Sequence, residues 1–168
     1  KTTGGGATFS GGECMLQPEL LEKLLAACRQ REIHTAIDTA GHIPFSAFER
    51  LLPLTDMFLY DVKHMDPEVH RKYTGVSNEL ILENLAKLLK MRKRVWVRVP
   101  VIPGVNDTVE NIRALRAFLL QYGYPEKVEL LAYHRMGEGK RAALKQKRLC
   151  FDVPEKEKME VLSRAILP

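Results

Sequence analysis

The sequence predicts an α/β fold in which parallel strands are joined by crossover helices, and three observations carry that prediction. Short β-branched or aromatic runs alternate with longer segments of helical period along the chain. The strand runs are almost continuously apolar, as they are when both faces of a parallel sheet are covered. At 168 residues, 45% hydrophobic and 28% charged, the chain has the size and composition of one soluble globular domain, residues 1–168, since domains run to roughly 100–200 residues.

The first strand is read at residues 7–10. Pro18 then suits a first helical position, and Leu21, Leu24, Leu25 and Cys28 recur at i, i+3, i+4 and i+7 as one buried face. A strand at 34–38 leads into a shorter helix at 46–52, stopped at Pro53. The third strand, 57–62, precedes a helix opened near Asn78, in which Ile81, Leu85, Leu88 and Leu89 repeat the apolar pattern. After the fourth strand, 95–101, a helix starts at Asp107, where Glu110 makes a capping-box signal and Ile112, Leu115 and Leu119 share a face. A fifth strand follows at 128–133, and Pro154 opens a last helix with Met159, Leu162 and Ile166 turned inward. Residues 135–153, basic and carrying Gly137 and Gly139, form one long connection that reads as a solvated loop, with a lid as the alternative.

Lys and Arg number 26 against 21 Asp and Glu, and the resulting +5 permits an acidic partner without requiring one. The basic runs at 90–94 and 145–148 lack an aromatic stacking pattern, so no nucleic acid partner is expected. Cys14, Cys28 and Cys150 form no CxxC and leave one over after any pairing, which points to a reducing, cytoplasmic setting. No apolar run approaches the roughly 18 residues that span a bilayer, so no membrane partner is expected. The histidines show no zinc spacing, and neither GxSxG nor GxxxxGK[ST] occurs, so zinc, serine hydrolase and phosphate-loop chemistry lack support.

Polar residues gather where parallel α/β proteins do their chemistry, at the carboxyl ends of the strands. Gly11, Gly12 and Glu13 follow the first strand, Asp38 and Thr39 end the second, Asp61 and Lys63 end the third, Arg98 lies in the fourth and His134 follows the fifth. Each alone has a plain structural reading as turn, cap or core residue. Their recurrence at five consecutive strand ends favours a shared site, because buried charges are costly unless paired or bound. Carboxylates beside a Lys, an Arg and a His suit a small zwitterion, and glycines let backbone groups approach it closely.

The segment GGGATFSGGECMLQ at residues 4–17 resembles the GGE segment of the radical S-adenosylmethionine proteins that activate glycyl radical enzymes. HTAIDTAG at 34–41, YDVKHMD at 60–66, TGVSNELILENL at 74–85, VWVRVPVIPGVND at 95–107 and VELLAYHRMGEGK at 128–140 agree with that family in order and spacing. The resemblance covers essentially the whole chain. It implies a partial (β/α)6 TIM-like barrel of the radical S-adenosylmethionine type, here lacking the first strand. It also implies a reaction in which a [4Fe-4S] cluster donates one electron to S-adenosylmethionine and the deoxyadenosyl radical takes hydrogen from a glycine of the partner. The implied partners are a glycyl radical enzyme such as pyruvate formate-lyase and a flavodoxin or ferredoxin-type electron donor.

Carried over position by position, Gly11, Gly12 and Glu13 meet the methionyl ammonium through backbone carbonyls and a carboxylate, and Asp38 lines the same pocket. Asp61, Val62, Lys63, His64 and Met65 pass along the cofactor, Lys63 and Arg98 face its carboxylate, and His134 bonds near the ribose or carboxylate. Asp38, Thr39, the Leu59 carbonyl and Asp61 resemble a monovalent-cation site, and all-oxygen ligation suits a hard cation. Cys14 stands where the family commonly has Pro, and Ala132 precedes Tyr133 where Pro is usual. The family's CxxxCxxC lies upstream of the GGE segment and is not in this sequence, so no cluster ligands are expected here. The chain is therefore expected to be the GGE-to-C-terminal part of an activating protein, inactive alone, with its first strand an exposed edge. A non-catalytic module that binds the glycyl radical enzyme is the alternative.

Overall fold

The computed structural model describes residues 5–134 and 151–168. Most of the long connection, with Gly137, Gly139, the basic run at 145–148 and Cys150, lies outside the described residues. Five strands, β1 (Gly6–Phe9), β2 (His34–Thr39), β3 (Met57–Asp61), β4 (Val95–Val101) and β5 (Lys127–Ala132), form one sheet. They run parallel throughout in the order β1-β2-β3-β4-β5, so each is paired with the strand before it in the chain. The α/β expectation is met, with every strand displaced by at most one residue at either end.

The helices are α1 (Pro18–Gln30), α2 (Phe45–Leu51), α3 (Pro67–Thr74), α4 (Glu79–Lys90), α5 (Val109–Tyr122) and α6 (Lys156–Ile166). Between strand and helix faces lies a core in which Phe48, Phe58, Tyr60, Leu85, Leu88, Ile112, Leu115 and Leu119 are fully buried. Burying one such aliphatic or aromatic side chain stabilises the fold by about 1.5–3 kcal/mol. β4 strictly alternates buried and half-buried residues, with Val95, Val97, Val99 and Val101 buried and Trp96, Arg98 and Pro100 on the opposite face. Only one face of this strand is therefore sealed, and its other face carries the site.

Several local expectations shift. Pro53 does not end the chain's helical path, because the three residues Leu52–Leu54 continue as a 3-10 turn in which Pro needs no N–H partner. Asp107 does not open α5: its carboxylate accepts from Gly104 N–H at 2.9 Å, and Thr108 caps the helix by accepting from Asn111 N–H at 3.2 Å. The last helix begins two residues beyond Pro154. Leu24 is 43% exposed, leaving Leu21 and Leu25 as the sealed residues of α1. The short helix α3 was not signalled by any apolar period, yet Asp66 accepts from Glu68 and Val69 N–H groups and Pro67 takes the first helical position.

Gly41 shows why one loop after β2 needs glycine. Its φ is +73°, and a Cβ there would overlap the Tyr60 ring, whose hydroxyl donates to the Ile81 carbonyl at 2.7 Å. The buried Asn84 amide donates to the Gly41 and Ile43 carbonyls at 2.9 and 2.8 Å, fastening the same loop to α4.

Candidate functional site

Because all five strands are parallel, their carboxyl ends lie along one edge of the sheet, and the polar residues singled out in the sequence meet there. Register places Asp61 beside Arg98 and Arg98 beside Glu129, while Asp38 stands beside Leu59 one strand over. The Arg98 guanidinium reaches across β3 to join two carboxylates that are distant in sequence. Its Nη2 and Nε donate to Asp61 Oδ1 at 2.8 and 3.0 Å, and Nη2 also donates to Asp38 Oδ1. Ser10 Oγ donates to the other Asp38 oxygen at 3.1 Å, and Lys63 Nζ lies 3.5 Å from Asp61 Oδ2.

These groups are partly buried, with 19% of the Arg98 side chain and 23–25% of the two Asp side chains exposed. Burial works against the guanidinium charge, but the Asp61 and Asp38 carboxylates outweigh it and hold Arg98 above its ordinary value. The cluster is thus a fixed alternation of negative and positive groups along a partly open edge, with Lys63, 38% exposed, as its most accessible cation.

Glu13 is held differently from the expectation that its carboxylate faces a ligand. Its oxygens accept from Thr39 Oγ1 at 2.9–3.0 Å, from Ala40 N–H at 2.9 Å and from Met15 N–H at 3.2 Å. The carboxylate is engaged in pinning the glycine loop to the end of β2, and the Thr39 hydroxyl in turn accepts from Gly41 N–H at 3.0 Å. What the loop leaves for a ligand is its main chain. Gly11 has φ +144°, and a Cβ at Gly11 or Gly12 would meet nothing within 4 Å, so the loop borders open space.

Four other expectations are placed as follows. Thr39 turns its hydroxyl to Glu13 and the Arg98 guanidinium stands between Asp38 and Asp61, where a cation was expected beside the Leu59 carbonyl. Val62 is buried, its N–H donating to the Arg98 carbonyl at 2.9 Å. The His64 ring is tied to the protein, Nδ1 accepting from Asp66 N–H at 2.9 Å. His134 is exposed beyond β5, outside the charge cluster. A cavity of about 430 Å³ adjoins Lys63 and is lined also by His64, His70, Tyr73, Tyr133 and Phe151, the last two in edge-to-face contact at 5.8 Å.

The expected cofactors can be tested against these residues. An open glycine main chain beside carboxylates, a guanidinium and an ammonium is a donor set that fits the zwitterionic methionyl group of S-adenosylmethionine. An iron-sulfur cluster does not fit the described residues, among which no group of three His, Cys, Asp or Glu side chains can hold a metal. Cys14 donates to the Phe9 and Asp38 carbonyls at 3.4 and 3.5 Å, and burial, with Glu13 nearby, pushes its thiol up to about 11. A metal ligand needs the thiolate, which this environment disfavours.

The sequence did not single out Ser10, Glu129 or the asparagines Asn78, Asn106 and Asn111 as site residues. The signal available for Ser10, Glu129, Asn78 and Asn106 was their position beside the matched strand ends, in the segments SGGE, KVELLAY, TGVSN and GVND, whereas Asn111 lies beyond them. Among the described residues no helix is long and apolar enough to cross a membrane.

A family model described as the radical SAM superfamily matches residues 3–116. The (2S)-3-sulfopropanediol dehydratase activating enzyme of Klebsiella oxytoca is 44% identical over 144 residues, 84% of this chain and 45% of that protein. The pyruvate formate-lyase-activating enzyme of Clostridium pasteurianum is 38% identical over 164 residues, covering 96% of this chain and 68% of that protein. In three dimensions the chain resembles a domain of pyruvate-formate lyase-activating enzyme from Bacteroides vulgatus, with a TM-score of 0.83 and 31% identity over 96% of this chain and 92% of that one. The chain thus spans less than half the length of the Klebsiella relative.

Proposed function

The chain belongs to the radical SAM superfamily, and on that premise we propose that it is the core domain of an activase that installs a glycyl radical on a partner enzyme, with the strand-end charge cluster receiving S-adenosylmethionine. The observation that carries this reading is the Asp38–Arg98–Asp61–Lys63 array set against the open main chain of Gly11 and Gly12. The chemistry S-adenosylmethionine supplies in this family, given one electron, is a 5′-deoxyadenosyl radical that takes hydrogen from a glycine. The partner is accordingly a glycyl radical enzyme, and the electron comes from a flavodoxin or ferredoxin-type protein.

The geometry supports the following roles for the chain's own residues. Carbonyls of Gly11 to Glu13 accept from the ligand's ammonium, since the Glu13 carboxylate is already engaged. Lys63 meets the ligand's carboxylate, and Arg98, neutralised by two aspartates, holds the edge of the sheet in shape instead of drawing the ligand itself. Asp38 and Asp61 give the cationic sulfonium a complementary field. His134, exposed next to the cavity residue Tyr133, is within the same strand-end region for the ribose. Asp38, Thr39, Leu59 and Asp61 form a monovalent-cation site only if Arg98 and Thr39 turn away on ligand binding. No step is assigned to the iron-sulfur cluster on these residues.

The test is S-adenosylmethionine binding to this chain by calorimetry. Gly12→Val, which fills the open side of the loop, and Lys63→Met should each weaken binding at least tenfold, whereas unchanged binding in both overturns the reading.

A further inference from the structure

Beyond β3 the main chain leaves the sheet, its last bond to β4 running from Val62 N–H to the Arg98 carbonyl at 2.9 Å. The next three carbonyls, of Lys63, His64 and Met65, accept from side-chain amides instead. Asn106 Nδ2 donates to Lys63 O at 2.7 Å, and Asn78 Nδ2 donates to both His64 O and Met65 O at 2.8 Å. Asn111 Oδ1 accepts from Met65 N–H at 2.9 Å, while its Nδ2 donates to the Asn106 carbonyl at 3.2 Å. Asn106 is anchored in turn to the end of β4, donating to Pro100 O and accepting from Ile102 N–H, both at 2.7 Å.

All three side chains are buried, at 2%, 1% and 8% exposure for Asn78, Asn106 and Asn111. Asn78 stands at the cap of α4, Asn106 two residues before the cap of α5 and Asn111 in its first turn, a region where an asparagine ordinarily serves by accepting from the first helical N–H groups. That work is not what they do. Asn78, at the start of α4, makes no side-chain capping bond, and α5 is capped by Thr108. An amide serves a carbonyl and an N–H at once, which neither a carboxylate nor an apolar side chain does.

We propose that Asn78, Asn106 and Asn111 are positioning residues for the ligand-binding edge, fixing the path of Lys63–Met65 and thereby the place of the Lys63 ammonium against Asp61 and the glycine loop. This rests on the reading that the edge receives S-adenosylmethionine. The three amides come from the α3–α4 connection, the β4–α5 connection and α5, so any movement among these elements is transmitted to the Lys63–Met65 main chain. The His64 ring accepts from Asp66 N–H within the same segment at 2.9 Å.

The experiment compares Asn111→Leu, which removes the acceptor for Met65 N–H, with Asn111→Asp, which keeps an acceptor at a helix start where a carboxylate is tolerated. Asn78→Ala tests the clamp from a different element, and Lys63→Met tests the underlying reading. Equilibrium S-adenosylmethionine binding is measured on this chain, with melting temperature and amide hydrogen exchange of residues 61–66 measured without the ligand. Asn111→Leu and Asn78→Ala should raise Kd about tenfold and speed exchange locally, and Asn111→Asp should restore Kd to within about threefold of the parent. Lower melting temperatures with unchanged Kd, or equal losses for Asn111→Asp and Asn111→Leu, overturn the clamp. If Lys63→Met leaves Kd unchanged, the reading of the edge falls and the positioning role falls with it. Should Asn111→Leu fail to fold, Asn78→Ala and Asn111→Asp still decide the outcome.

Discussion

Replacing Arg98 by Met removes the one cation that bridges Asp38 and Asp61, and the structure allows the loss to be sized. Two unit charges about 4 Å apart attract by about 4 kcal/mol at an effective dielectric of about 20. Breaking a buried pair costs roughly 3–5 kcal/mol, whereas exposed pairs contribute about 0.2–1 kcal/mol. With side-chain exposures of 19–25%, the Arg98 cluster lies nearer the buried limit but is still screened. A loss of about 2–3 kcal/mol follows, or about 4–12 °C in melting temperature for a domain of this size. Urea denaturation of Arg98→Met, Asp61→Asn and the double variant separates the pair from its surroundings. The coupling should be about 1–2 kcal/mol, since Asp61 keeps only Lys63 once Arg98 is gone. Additivity within about 0.5 kcal/mol would mean that the two do not interact, and the electrostatic account of the edge would fail.

Two further outcomes concern titratable and reactive groups. Burial, against an opposing bond to the Val76 carbonyl, lowers the His70 pKa, with Lys63, His64 and His42 adding repulsion; the His64 pKa is lowered by burial too, although Asp66 opposes it. Both groups take up protons more readily unfolded, so their stabilising effect is present above the ordinary value of 6.5 and is lost as pH falls towards their depressed folded values. Chemical denaturation between pH 7.5 and 5 should show declining stability, with a shallower decline in His70→Asn, whose amide can still donate to Val76 O; an unaltered slope counts against the assignment. Cys14, with its thiol raised by burial from 9.0 to about 11, should carry about a hundredfold less thiolate at pH 8 than an unperturbed thiol. Alkylation followed by peptide mass spectrometry should find it slow in the native state and fast in urea, and rapid native labelling would refute its burial.

The strands and the helix cores were legible because period and composition are local properties: Ile81, Leu85, Leu88 and Leu89 are buried as their spacing requires. Helix α3 was not, because it is capped by Asp66 and Pro67 but carries no long apolar stripe, and helical spacing alone is silent over eight residues. Asp107 and Glu110 offered a capping pattern that the neighbouring Thr108 displaced, a competition between adjacent acceptors that only geometry decides. At the site, parallel strands made the location of Asp38, Asp61, Lys63 and Arg98 readable in advance. Their partners were not, since Glu13 could have faced a ligand as readily as Thr39 and Ala40, and three asparagines at helix starts resemble ordinary caps. The same limit applies to Arg98, whose reach to Asp38 depends on the intervening strand and on register.

The consecutive strand order has a kinetic consequence. Since every strand pairs with the one made before it, each new loop closes over a few tens of residues, and its entropic cost grows only slowly with length. The sheet can lengthen in the direction of synthesis, with no early strand waiting on the last. The Arg98–Asp38 link, spanning 60 residues, forms only after β2, β3 and β4 are in register, so the charged edge is assembled late, as a product of a nearly finished sheet and not as its nucleus.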